Sequence, residues 1–545
     1  MTFTEALNSL DVSDRGFSFV VDEDVVDFVS FVDFREQTAD LAVRFAGLGL
    51  KRGDRVLMVL PDQKEFALLF AGMIRAGVVP VPVFPPFLLG QLEAYKDKLR
   101  GIVASCTPSV VVTAAGLAEF CTETTGLPAV TFEDVTGAPP TGILAEAEPD
   151  DIAFLQYTSG STAEPKGVMV TQRSLVTNAR FIADGIGIDP SVDRGVSWLP
   201  LYHDMGLIGF LVTPLVTQSS TWLIPPQQFA RKPRMWLDWL SRAKGTISFA
   251  PNFAYELLAS RVDNDQLAGW DLSSWRVAGC GAEPIRPDAI RRFQDRMASA
   301  GFNPRAMTPC YGLAEATLAV SFNPLGAGLK VTSVDVDALR VHGEVRAAGS
   351  ADHVVELVSC GRVPSAHDVW ILDEDGTRLP DGRQGEIAVR GDSVTAGYWG
   401  DPARTAETFG NGFLRTGDLG FIHDGDLYVT GRIKDLIIHN GRNYHPQDIE
   451  WVIGALAGVR TGHAAAFQLD DGELVVVAER APAVEPTSEL CGEIGTLVRK
   501  AVGILPDQVL VVPRDTIPKT SSGKIRRFAT RQLLLTGELR ELVRS

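Results

Sequence analysis

Residues 157–167 combine glycine, hydroxyl and lysine side chains in a pattern that suits the binding of a polyphosphate. The stretch contains Thr158, Ser159, Gly160, Ser161, Thr162 and Lys166. Apolar residues at 152–155 precede it as a buried strand would, so the glycines and hydroxyls are expected where a strand opens into a loop. Such a loop offers backbone N–H groups, hydroxyl donors and an ammonium group to phosphate oxygens. The pattern therefore predicts that the chain uses a nucleotide.

This stretch differs from the phosphate-binding loop of the common NTPases. That loop requires glycine, lysine and then serine or threonine, in that order. In this chain Lys166 precedes Gly167, so the order is reversed. A solvated turn between two strands is the alternative interpretation, and the further motifs described below argue against it.

Size and composition indicate a folded, multidomain protein without a polyanionic partner. The chain has 545 residues, of which 45% are hydrophobic and 22% charged, and this length exceeds what one hydrophobic core usually organises. Its formal net charge is -17. Because nucleic-acid binding depends on lysine and arginine neutralising phosphates, no nucleic-acid partner is expected.

Cysteine usage and hydropathy favour a cytoplasmic location. The six cysteines show no CxxC pair and no spacing suited to zinc, which favours reduced thiols and no structural metal. The first residues lack the basic start and apolar core of a signal peptide. The most apolar stretch, 66–89, is interrupted by Arg75 and four prolines, Pro80, Pro82, Pro85 and Pro86, so no integral membrane segment is expected.

The elements that must position the phosphate-binding residues alternate between strands and helices. Residues 55–60, 65–75 and 78–83 predict a strand, a helix and a strand, which together form a βαβ unit. Further short strands are predicted at 109–112, 129–132, 195–199, 221–224, 246–250 and 276–279. The sequence therefore predicts an α/β body with a substantially parallel sheet.

The pattern changes in the last third of the chain. Beyond Val354, short strands punctuated by glycine and aspartate are predicted at 369–372, 386–390, 413–414 and 427–429, which indicates a small β subdomain. After residue 431 the predicted elements are a helix from Pro446, paired strands at 463–468 and 474–478, a helix after Thr487 and a strand at 508–512. We therefore divide the chain into a large N-terminal domain, 1–431, and a small mobile α+β C-terminal lid, 432–545.

Six further motifs follow the phosphate loop in the order found in the adenylate-forming superfamily, which includes acyl-CoA synthetases, luciferases and peptide-synthetase adenylation domains. They are Leu-Pro-Leu-Tyr-His-Asp-Met-Gly at 199–206, Gly-Ala-Glu-Pro at 281–284, Tyr-Gly-Leu-Ala-Glu at 311–315, Thr-Gly-Asp at 416–418, Gly-Arg-Ile-Lys-Asp at 431–435 and Lys-Thr-Ser-Ser-Gly-Lys at 519–524. The chain resembles this superfamily over essentially its whole length. The resemblance implies that a carboxylate attacks the α-phosphorus of ATP, that pyrophosphate leaves, and that an acyl-adenylate remains bound.

The resemblance assigns most of these motifs to ATP and Mg2+. Residues 158–162 and Lys166 would hold the β and γ phosphates, and Glu315 would ligate the Mg2+ that bridges them. Tyr311 would stack on the adenine, and Asp418, assisted by Arg432, would accept the ribose hydroxyls. The ATP-binding residues that the resemblance implies are Thr158, Ser159, Gly160, Ser161, Thr162, Lys166, Gly281, Ala282, Glu283, Tyr311, Gly312, Asp418 and Arg432.

Two catalytic residues and a hinge also follow from the resemblance. Lys524, on a glycine-bearing loop of the lid, would reach between the attacking carboxylate and the α-phosphate. His203 would lie beside the acyl site, with a satisfied core histidine as the alternative. Lys434 would be the hinge about which the lid rotates. The neighbouring Lys519, Arg526, Arg527 and Arg531 allow a second interpretation of the Lys524 region, namely a solvated basic face or a docking patch for an acidic partner.

Within the superfamily, three features favour the fatty acyl-AMP ligases over the CoA ligases. They are the run at 197–207, the runs at 281–286 and 441–450, and the long connection at 321–359. In fatty acyl-AMP ligases an insertion at this last place restrains the lid from the pose that accepts CoA. A long surface loop that is tolerated at little cost is the alternative.

The expected product is a fatty acyl-AMP made from a long-chain fatty acid, whose acyl group passes to an acyl carrier protein or a polyketide synthase carrier domain. A long-chain acyl-CoA ligase is the alternative. A non-enzymatic nucleotide-binding homologue is a third hypothesis, which the presence of Lys166, Glu315, Asp418 and Lys524 opposes. Two positions depart from the family pattern, because Ala163 replaces a glycine and Gln172 replaces a common histidine.

Overall fold

The computed structural model of the chain describes residues 1–86, 92–158, 165–347, 354–362, 367–439, 441–482, 484–485, 487–520 and 523–544. Its α-helices are α1 (Phe3–Asn8), α2 (Phe31–Phe45), α3 (Gln63–Arg75), α4 (Leu92–Cys106), α5 (Ala118–Thr125), α6 (Phe132–Gly137), α7 (Gln172–Gly185), α8 (Asp204–Leu207), α9 (Thr213–Thr217), α10 (Pro226–Arg231), α11 (Met235–Arg242), α12 (Asn252–Arg261), α13 (Asn264–Leu267), α14 (Pro287–Met297), α15 (Val336–His342), α16 (Pro402–Thr408), α17 (Pro446–Ile453), α18 (Ser488–Val502) and α19 (Arg527–Leu535).

The strands are β1 (Gly16–Asp22), β2 (Val25–Ser30), β3 (Arg55–Val59), β4 (Val79–Pro82), β5 (Val110–Thr113), β6 (Ala129–Val130), β7 (Ile152–Thr158), β8 (Lys166–Thr171), β9 (Arg194–Ser197), β10 (Ser220–Leu223), β11 (Ile247–Ala250), β12 (Val277–Cys280), β13 (Met307–Gly312), β14 (Ala319–Phe322), β15 (Val331–Asp335), β16 (Val354–Arg362), β17 (Asp368–Leu372), β18 (Gly385–Arg390), β19 (Leu414–His423), β20 (Asp426–Arg432), β21 (Ile437–His439), β22 (Arg442–Tyr444), β23 (Val459–Gln468), β24 (Leu474–Arg480), β25 (Gln508–Val512) and β26 (Val543–Arg544).

Two parallel sheets form the body of the N-terminal domain, as predicted. In the first sheet β1, β10, β9, β11, β12 and β13 run parallel in that order. The second sheet has the order β4-β3-β5-β6, and β3, α3 and β4 form the predicted βαβ unit. The Asp62 side chain caps α3 by accepting a hydrogen bond from the backbone N–H of Glu65 at 2.9 Å.

The strand predictions at 129–132 and 413–414 were among those that were wrong in extent. The strand predicted at 129–132 ends at Val130, because the Thr131 hydroxyl accepts a hydrogen bond from the Asp134 N–H at 3.2 Å and begins α6. The strand predicted at 413–414 is β19 and extends to His423. Its pairing with β18 and with β20 shifts register near its two glycines, Gly417 and Gly420, so the strand continues past them.

The predicted small β subdomain is hydrogen-bonded to the parallel sheet. From β13 the sheet continues antiparallel through β14, β16, β20, β19, β18 and β17. The connection at 321–359, predicted as an insertion, contains β15, which pairs with β16, and the helix α15. The insertion is therefore anchored to the sheet on one side.

The lid is α+β, as predicted, and the alternation of its strands explains its two cores. In β24 the side chains of Leu474, Val476 and Ala478 pack with α17 and α18, whereas Val475 and Val477 pack toward α19. The lid sheet has the order β23-β24-β25-β26. Both faces of this sheet are therefore covered by lid residues alone.

The junction between the N-terminal domain and the lid is closely packed at Gly431. A Cβ atom at this position would lie 2.4 Å from Nδ1 of His445, so no side chain fits without displacement. His445 is buried, and it precedes α17. No helix within the described residues is both long and apolar enough to cross a membrane.

Candidate active site

One cavity of about 1310 Å³ lies where the N-terminal domain meets the lid. Most of the predicted site residues line it: Thr158, Lys166, His203, Ala282, Glu283, Tyr311, Gly312, Glu315, Asp418, Arg432, Lys434 and Lys524. Ser159, Gly160, Ser161 and Thr162 lie outside the described residues. Gly281 is not among the lining residues. The fold therefore brings together residues that are more than 360 positions apart in sequence, such as Thr158 and Lys524.

Asp418 accepts hydrogen bonds from two side chains that belong to other sequence motifs. The Tyr311 hydroxyl donates a hydrogen bond to Oδ2 of Asp418 at 2.7 Å, and Nε of Arg432 donates to Oδ1 at 2.9 Å. Asp418 and Arg432 lie directly opposite each other in the antiparallel pair β19 and β20. The charge of Asp418 raises the pKa of Arg432. This arrangement fixes the orientation of a buried carboxylate that lines the cavity.

The segment that follows β12 shapes the wall beside Tyr311. Ala282 has φ of 69°, a left-handed conformation that is strained for a residue other than glycine. A Cβ atom at Gly281 would lie 2.7 Å from Sγ of Cys310, so Gly281 permits close packing behind the wall rather than contact with the cavity. Glu283 accepts a hydrogen bond from the Phe253 backbone N–H at 2.7 Å, and burial raises its pKa.

Glu315 and Lys166 both interact with Tyr398, a residue that no sequence motif identified. The Tyr398 hydroxyl donates a hydrogen bond to Oε1 of Glu315 at 2.8 Å, and Nζ of Lys166 lies 5.4 Å from the centroid of the Tyr398 ring. Burial, together with the charges of Arg404 and Lys434, lowers the pKa of Lys166. Positive charge is thus concentrated at the start of β8, where the phosphates are expected.

His203 faces the cavity and is paired with Asp204. The distance from Nδ1 of His203 to Oδ1 of Asp204 is 2.6 Å. Burial acts to raise the pKa of Asp204, but the charge and hydrogen bond of His203 and the charge of Lys524 outweigh it, so this pKa is lowered. The amide of Gln156 donates a hydrogen bond to the Tyr202 carbonyl at 3.2 Å and so ties the segment before His203 to β7.

Lys524 is carried into the cavity by a tight turn of the lid. The Thr520 N–H donates to the Lys524 carbonyl at 2.8 Å, and the Lys524 N–H donates back to the Thr520 hydroxyl at 3.0 Å. Gly523 has φ of 86°, which favours glycine, and a Cβ atom there would lie 3.3 Å from Cε1 of Phe253. The turn therefore rests against the N-terminal domain.

Burial and the surrounding charges both affect the pKa of Lys524. Burial lowers the pKa of Lys524, and the positive charge of Arg432 adds to the decrease. Three carboxylates oppose this change: Asp204, Glu283 and Asp418. The Lys524 ammonium group is therefore within electrostatic range of Asp204, the partner of His203, and of Asp418.

The basic residues near Lys524 do not form one solvated face. Nη1 of Arg527 donates to Asp435 at 2.8 Å and its Nε donates to Glu450 at 2.7 Å, so this guanidinium is a structural part of the lid. Lys519, Arg526 and Arg527 all line the cavity. Burial lowers the pKa of Lys519 to about 8.

An apolar branch of the same cavity extends between β11, α7 and a π-helical turn, Ile208–Val212, that follows α8. Its apolar lining residues include Ile182, Ile186, Phe210, Ile247, Phe249, Leu318 and Phe322. The branch reaches Asp193 and Thr221, near the starts of β9 and β10. A ligand with a hydrocarbon chain fits this branch, because its walls offer few polar groups.

The Gln172 position, where the sequence departs from the family pattern, has a structural use. Its side-chain oxygen accepts a hydrogen bond from the Thr4 backbone N–H at 3.1 Å, and Gln172 is buried at the first residue of α7. Gln172 therefore holds α1 against α7.

Tyr398, which contacts Glu315 and Lys166, had no signal in the sequence that could have identified it, because it lies in a glycine-flanked loop outside all the quoted motifs.

Comparison with known proteins agrees with this geometry. A family profile described as AMP-binding enzyme matches residues 16–399. The chain belongs to the AMP-binding enzyme family. A relative of this AMP-binding enzyme, the long-chain-fatty-acid--AMP ligase FadD32 of Mycolicibacterium smegmatis, is 36% identical over 90% of the chain and 86% of the relative. A protein of Caulobacter vibrioides that carries the name "Putative acyl-CoA synthetase" is 35% identical over 98% of the chain and 96% of that protein.

A solved structure is also similar to this AMP-binding enzyme over nearly its whole length. It comes from a study of fatty acyl-adenylate ligases from E. coli and L. pneumophila, and it superposes with a TM-score of 0.94 at 37% identity, covering 98% of both chains. The α/β body and the small C-terminal domain are therefore those of an adenylate-forming enzyme, as the motifs predicted.

Proposed function

We propose that this AMP-binding enzyme activates a long-chain fatty acid with ATP to give fatty acyl-AMP and pyrophosphate, and then passes the acyl group to the phosphopantetheine thiol of an acyl carrier protein or polyketide synthase carrier domain. The observation that carries the proposal is one continuous cavity from Asp418 and Lys524 to the apolar branch at Phe210 and Phe249. A nucleotide at the polar end and a hydrocarbon chain in the branch would meet beside Lys524. The names of the relatives support the same reaction.

The chemistry requires two anions to approach each other. A carboxylate oxygen of the fatty acid attacks the α-phosphorus, a new P–O bond forms, and the bond to the pyrophosphate oxygen breaks. Lys524 is proposed to lie between the two reactants, where its ammonium group offsets their repulsion and stabilises the charge that develops on the α-phosphate. His203 is proposed to orient the carboxylate, and Asp418 with Tyr311 to hold the nucleoside.

Glu315 is the proposed ligand of Mg2+. Mg2+ is usually bound by one or two carboxylates together with substrate phosphates, so a single glutamate beside the phosphate-binding residues fits this ion. Oε1 of Glu315 already accepts the Tyr398 hydroxyl, which fixes the orientation of the carboxylate. Within the described residues no group of three or more histidine, cysteine, aspartate or glutamate side chains could hold a metal on its own. The ion would neutralise phosphate charge, and Lys166 would do the same from the protein.

Contacts between the insertion and the lid support a carrier-bound thiol rather than CoA as the acceptor. Nη2 of Arg340 in α15 donates to Asp448 at 3.1 Å, and its Nη1 donates to the Val502 carbonyl at 3.1 Å. Nη1 of Arg442 in β22 donates to Asp337 of α15 at 2.8 Å. These contacts hold the lid, proposed as residues 432–545 with Lys434 as its hinge, in the arrangement that places Lys524 in the cavity. The six free cysteines support a reducing, cytoplasmic location.

An acyl-CoA ligase is the second candidate, favoured by the name of the Caulobacter vibrioides relative. Mass spectrometry of the products formed from ATP, Mg2+ and a panel of fatty acids, with CoA and a phosphopantetheinylated carrier protein both present, separates the two. Acyl-AMP and acylated carrier without acyl-CoA is the expected result. Abundant acyl-CoA would replace the proposal by the second candidate, and no adenylate with any acid would overturn both.

A further inference from the structure

The floor of the apolar branch is the face of the first sheet that carries Gly195. Gly195 of β9 lies directly opposite Thr221 of β10 and Ile247 of β11, so all three residues project from the same face of the parallel sheet. All three line the cavity. Because glycine has no side chain, the floor has a gap between the side chains of Thr221 and Ile247.

The strand does not need glycine at this position for its backbone. Gly195 lies within β9 and is not among the glycines with positive φ. The space around it is what excludes a side chain, since a Cβ atom would lie 2.9 Å from Oγ1 and 3.3 Å from Cγ2 of Thr221, and 3.5 Å from Cδ1 of Phe210. Phe210 belongs to the π-helical turn that forms another wall of the branch. A larger residue at position 195 would therefore displace Thr221 or fill the space between Thr221 and Phe210.

Phe249, two residues beyond Ile247, leaves the branch open because its ring lies over a second glycine. Gly279 of β12 lies directly opposite Phe249. A Cβ atom at Gly279 would overlap Cδ1 and Cε1 of the Phe249 ring. The ring thus occupies the place of a side chain on β12 and not the space above Gly195. Glycines on two strands therefore widen the branch.

The branch ends at a buried ion pair whose carboxylate is held by several hydrogen bonds. Asp193, which precedes β9, lines the cavity and is 2% exposed. Its carboxylate accepts hydrogen bonds from Nε of Arg276 at 2.8 Å, from the Thr246 hydroxyl at 2.7 Å and from the Asp189 N–H at 2.8 Å. Breaking a buried pair of this kind leaves an uncompensated charge, so a hydrocarbon chain does not displace it. The pair is therefore a fixed end to the branch.

We propose that Gly195 is a specificity-determining residue for chain length: its gap receives the terminal methylene groups of a long acyl chain, whose methyl end lies near the Asp193–Arg276 pair. The inference deepens the proposed function and rests on it, because it takes the fatty acid as the substrate. The segment of strand from Ser197 to Asp193 spans about 13 Å. An acyl chain of medium length ends before this segment is filled, whereas a long chain must enter it. A side chain at position 195 therefore acts selectively against long chains.

The test measures kcat/KM for adenylation of octanoic acid and of palmitic acid by the full-length chain, from the release of pyrophosphate. The variants are Gly195→Ala, Gly195→Val and the double variant Gly195→Ala/Thr221→Ala. Val196→Ala is the matched control, because Val196 is the next residue of β9, is buried on the opposite face of the sheet, and is not among the described residues that line the cavity. Circular dichroism and thermal unfolding show whether each variant is folded.

The ratio of kcat/KM for palmitic acid to kcat/KM for octanoic acid is expected to fall at least roughly tenfold in Gly195→Val and less in Gly195→Ala. Each methylene group kept out of the branch costs about fourfold in affinity. The double variant should restore the ratio at least in part, because the Thr221 atoms that the new methyl group meets are absent. Val196→Ala should keep the ratio of the unmodified protein.

A ratio that stays constant in both single Gly195 variants, or that falls equally in Val196→Ala, overturns the inference. An unmodified protein that adenylates octanoic acid but not palmitic acid overturns it as well. In each of these outcomes an acyl-adenylate still forms, so adenylation itself is retained. Only the absence of adenylate with both acids counts against the proposed function, and the inference then falls with it.

Discussion

The two halves of the candidate site are built differently. On the nucleotide side, Asp418 faces Arg432, which lies at the boundary between the two domains, across paired strands, and Tyr311 bonds to the same carboxylate, so this part is fixed by the continuous sheet. In the lid, Lys524 is positioned by a turn whose backbone bonds are made within itself, mainly to Thr520. The proposed nucleotide-binding groups are thus held by the sheet, whereas the proposed catalytic charge of Lys524 is supplied by the lid. Binding and catalysis can therefore be separated by substitution.

The largest difference between the effect on the adenylation rate and the effect on ATP binding is expected for Lys524→Ala. Loss of the ammonium group should lower the rate of acyl-AMP formation by about 10²- to 10³-fold, because a positioned charge at the reacting phosphate is removed. ATP binding should change little, since the Asp418 side is untouched. Stopped-flow or quench measurements of adenylation, with a separate ATP titration, check both values.

Lys500→Ala provides the matched control, because Lys500 is an exposed lysine in α18 of the same lid. This variant should retain the rate of the unmodified protein. A Lys524→Ala protein that adenylates normally would contradict the assignment of Lys524 as catalytic.

The converse change is Asp418→Asn, which should affect binding more than chemistry. The amide keeps an acceptor for the Tyr311 hydroxyl but loses the charge that faces Arg432. Affinity for ATP should fall roughly tenfold to a hundredfold, as expected for a lost hydrogen bond to a charged group. Equilibrium titration with ATP measures this effect. If the adenylation rate at saturating ATP fell by a larger factor than the affinity for ATP, the assignment of Asp418 to binding rather than chemistry would be contradicted.

The third prediction concerns the contacts that hold the lid in place. Arg340→Ala removes the ion pair to Asp448 and the bond to the Val502 carbonyl, so the lid should sample other positions more often. Pairs of this partly exposed kind contribute up to about 1 kcal/mol, which predicts a change of at most about fivefold. Faster amide hydrogen exchange in α17 and a higher acyl-CoA yield are the expected readouts.

Arg305→Ala serves as the control for this variant, because Arg305 is exposed and lies in the N-terminal domain away from the lid contacts. Exchange in α17 that is unchanged by Arg340→Ala would show that the insertion does not restrain the lid.

The smallest effect is expected in the pH profile. The pKa of Lys524 is lowered from the ordinary lysine value of 10.5, mainly by burial. Since the protonated form is the one that stabilises phosphate charge, the adenylation rate should begin to fall on the alkaline side below pH 10.5. Lys524→Arg retains its charge at these values and should remove this part of the decline. Rates compared between the two proteins from about pH 7 to about pH 10 test the prediction.

The sequence predicted well those parts of the molecule whose signals are local. The βαβ unit at 55–83 follows from apolar periodicity, and the lid strands predicted at 474–478 and 508–512 follow from short β-branched runs. The assignment of Tyr311, Asp418 and Lys524 to one site depended on family motifs, and all three residues line the cavity. Periodicity alone carries no information about which motifs meet.

Other parts could not be read from the sequence, because they depend on contacts between distant segments. Tyr398 reaches Glu315 from a loop that has no motif of its own. The pairing of Arg527 with Asp435 and Glu450 likewise needs the folded lid, and it shows why a run of basic residues is a poor guide to a surface patch.

The contact between Gly431 and His445 gives the molecule a built-in spectroscopic reporter. The imidazole lies against the backbone at the point where the N-terminal domain gives way to the lid, and burial lowers the pKa of His445. A rotation of the proposed lid about this junction would change the packing and hydration of that ring. Because the chain has only eight histidines, the nuclear magnetic resonance signal of His445 would report the timing of such a movement during turnover without an attached label.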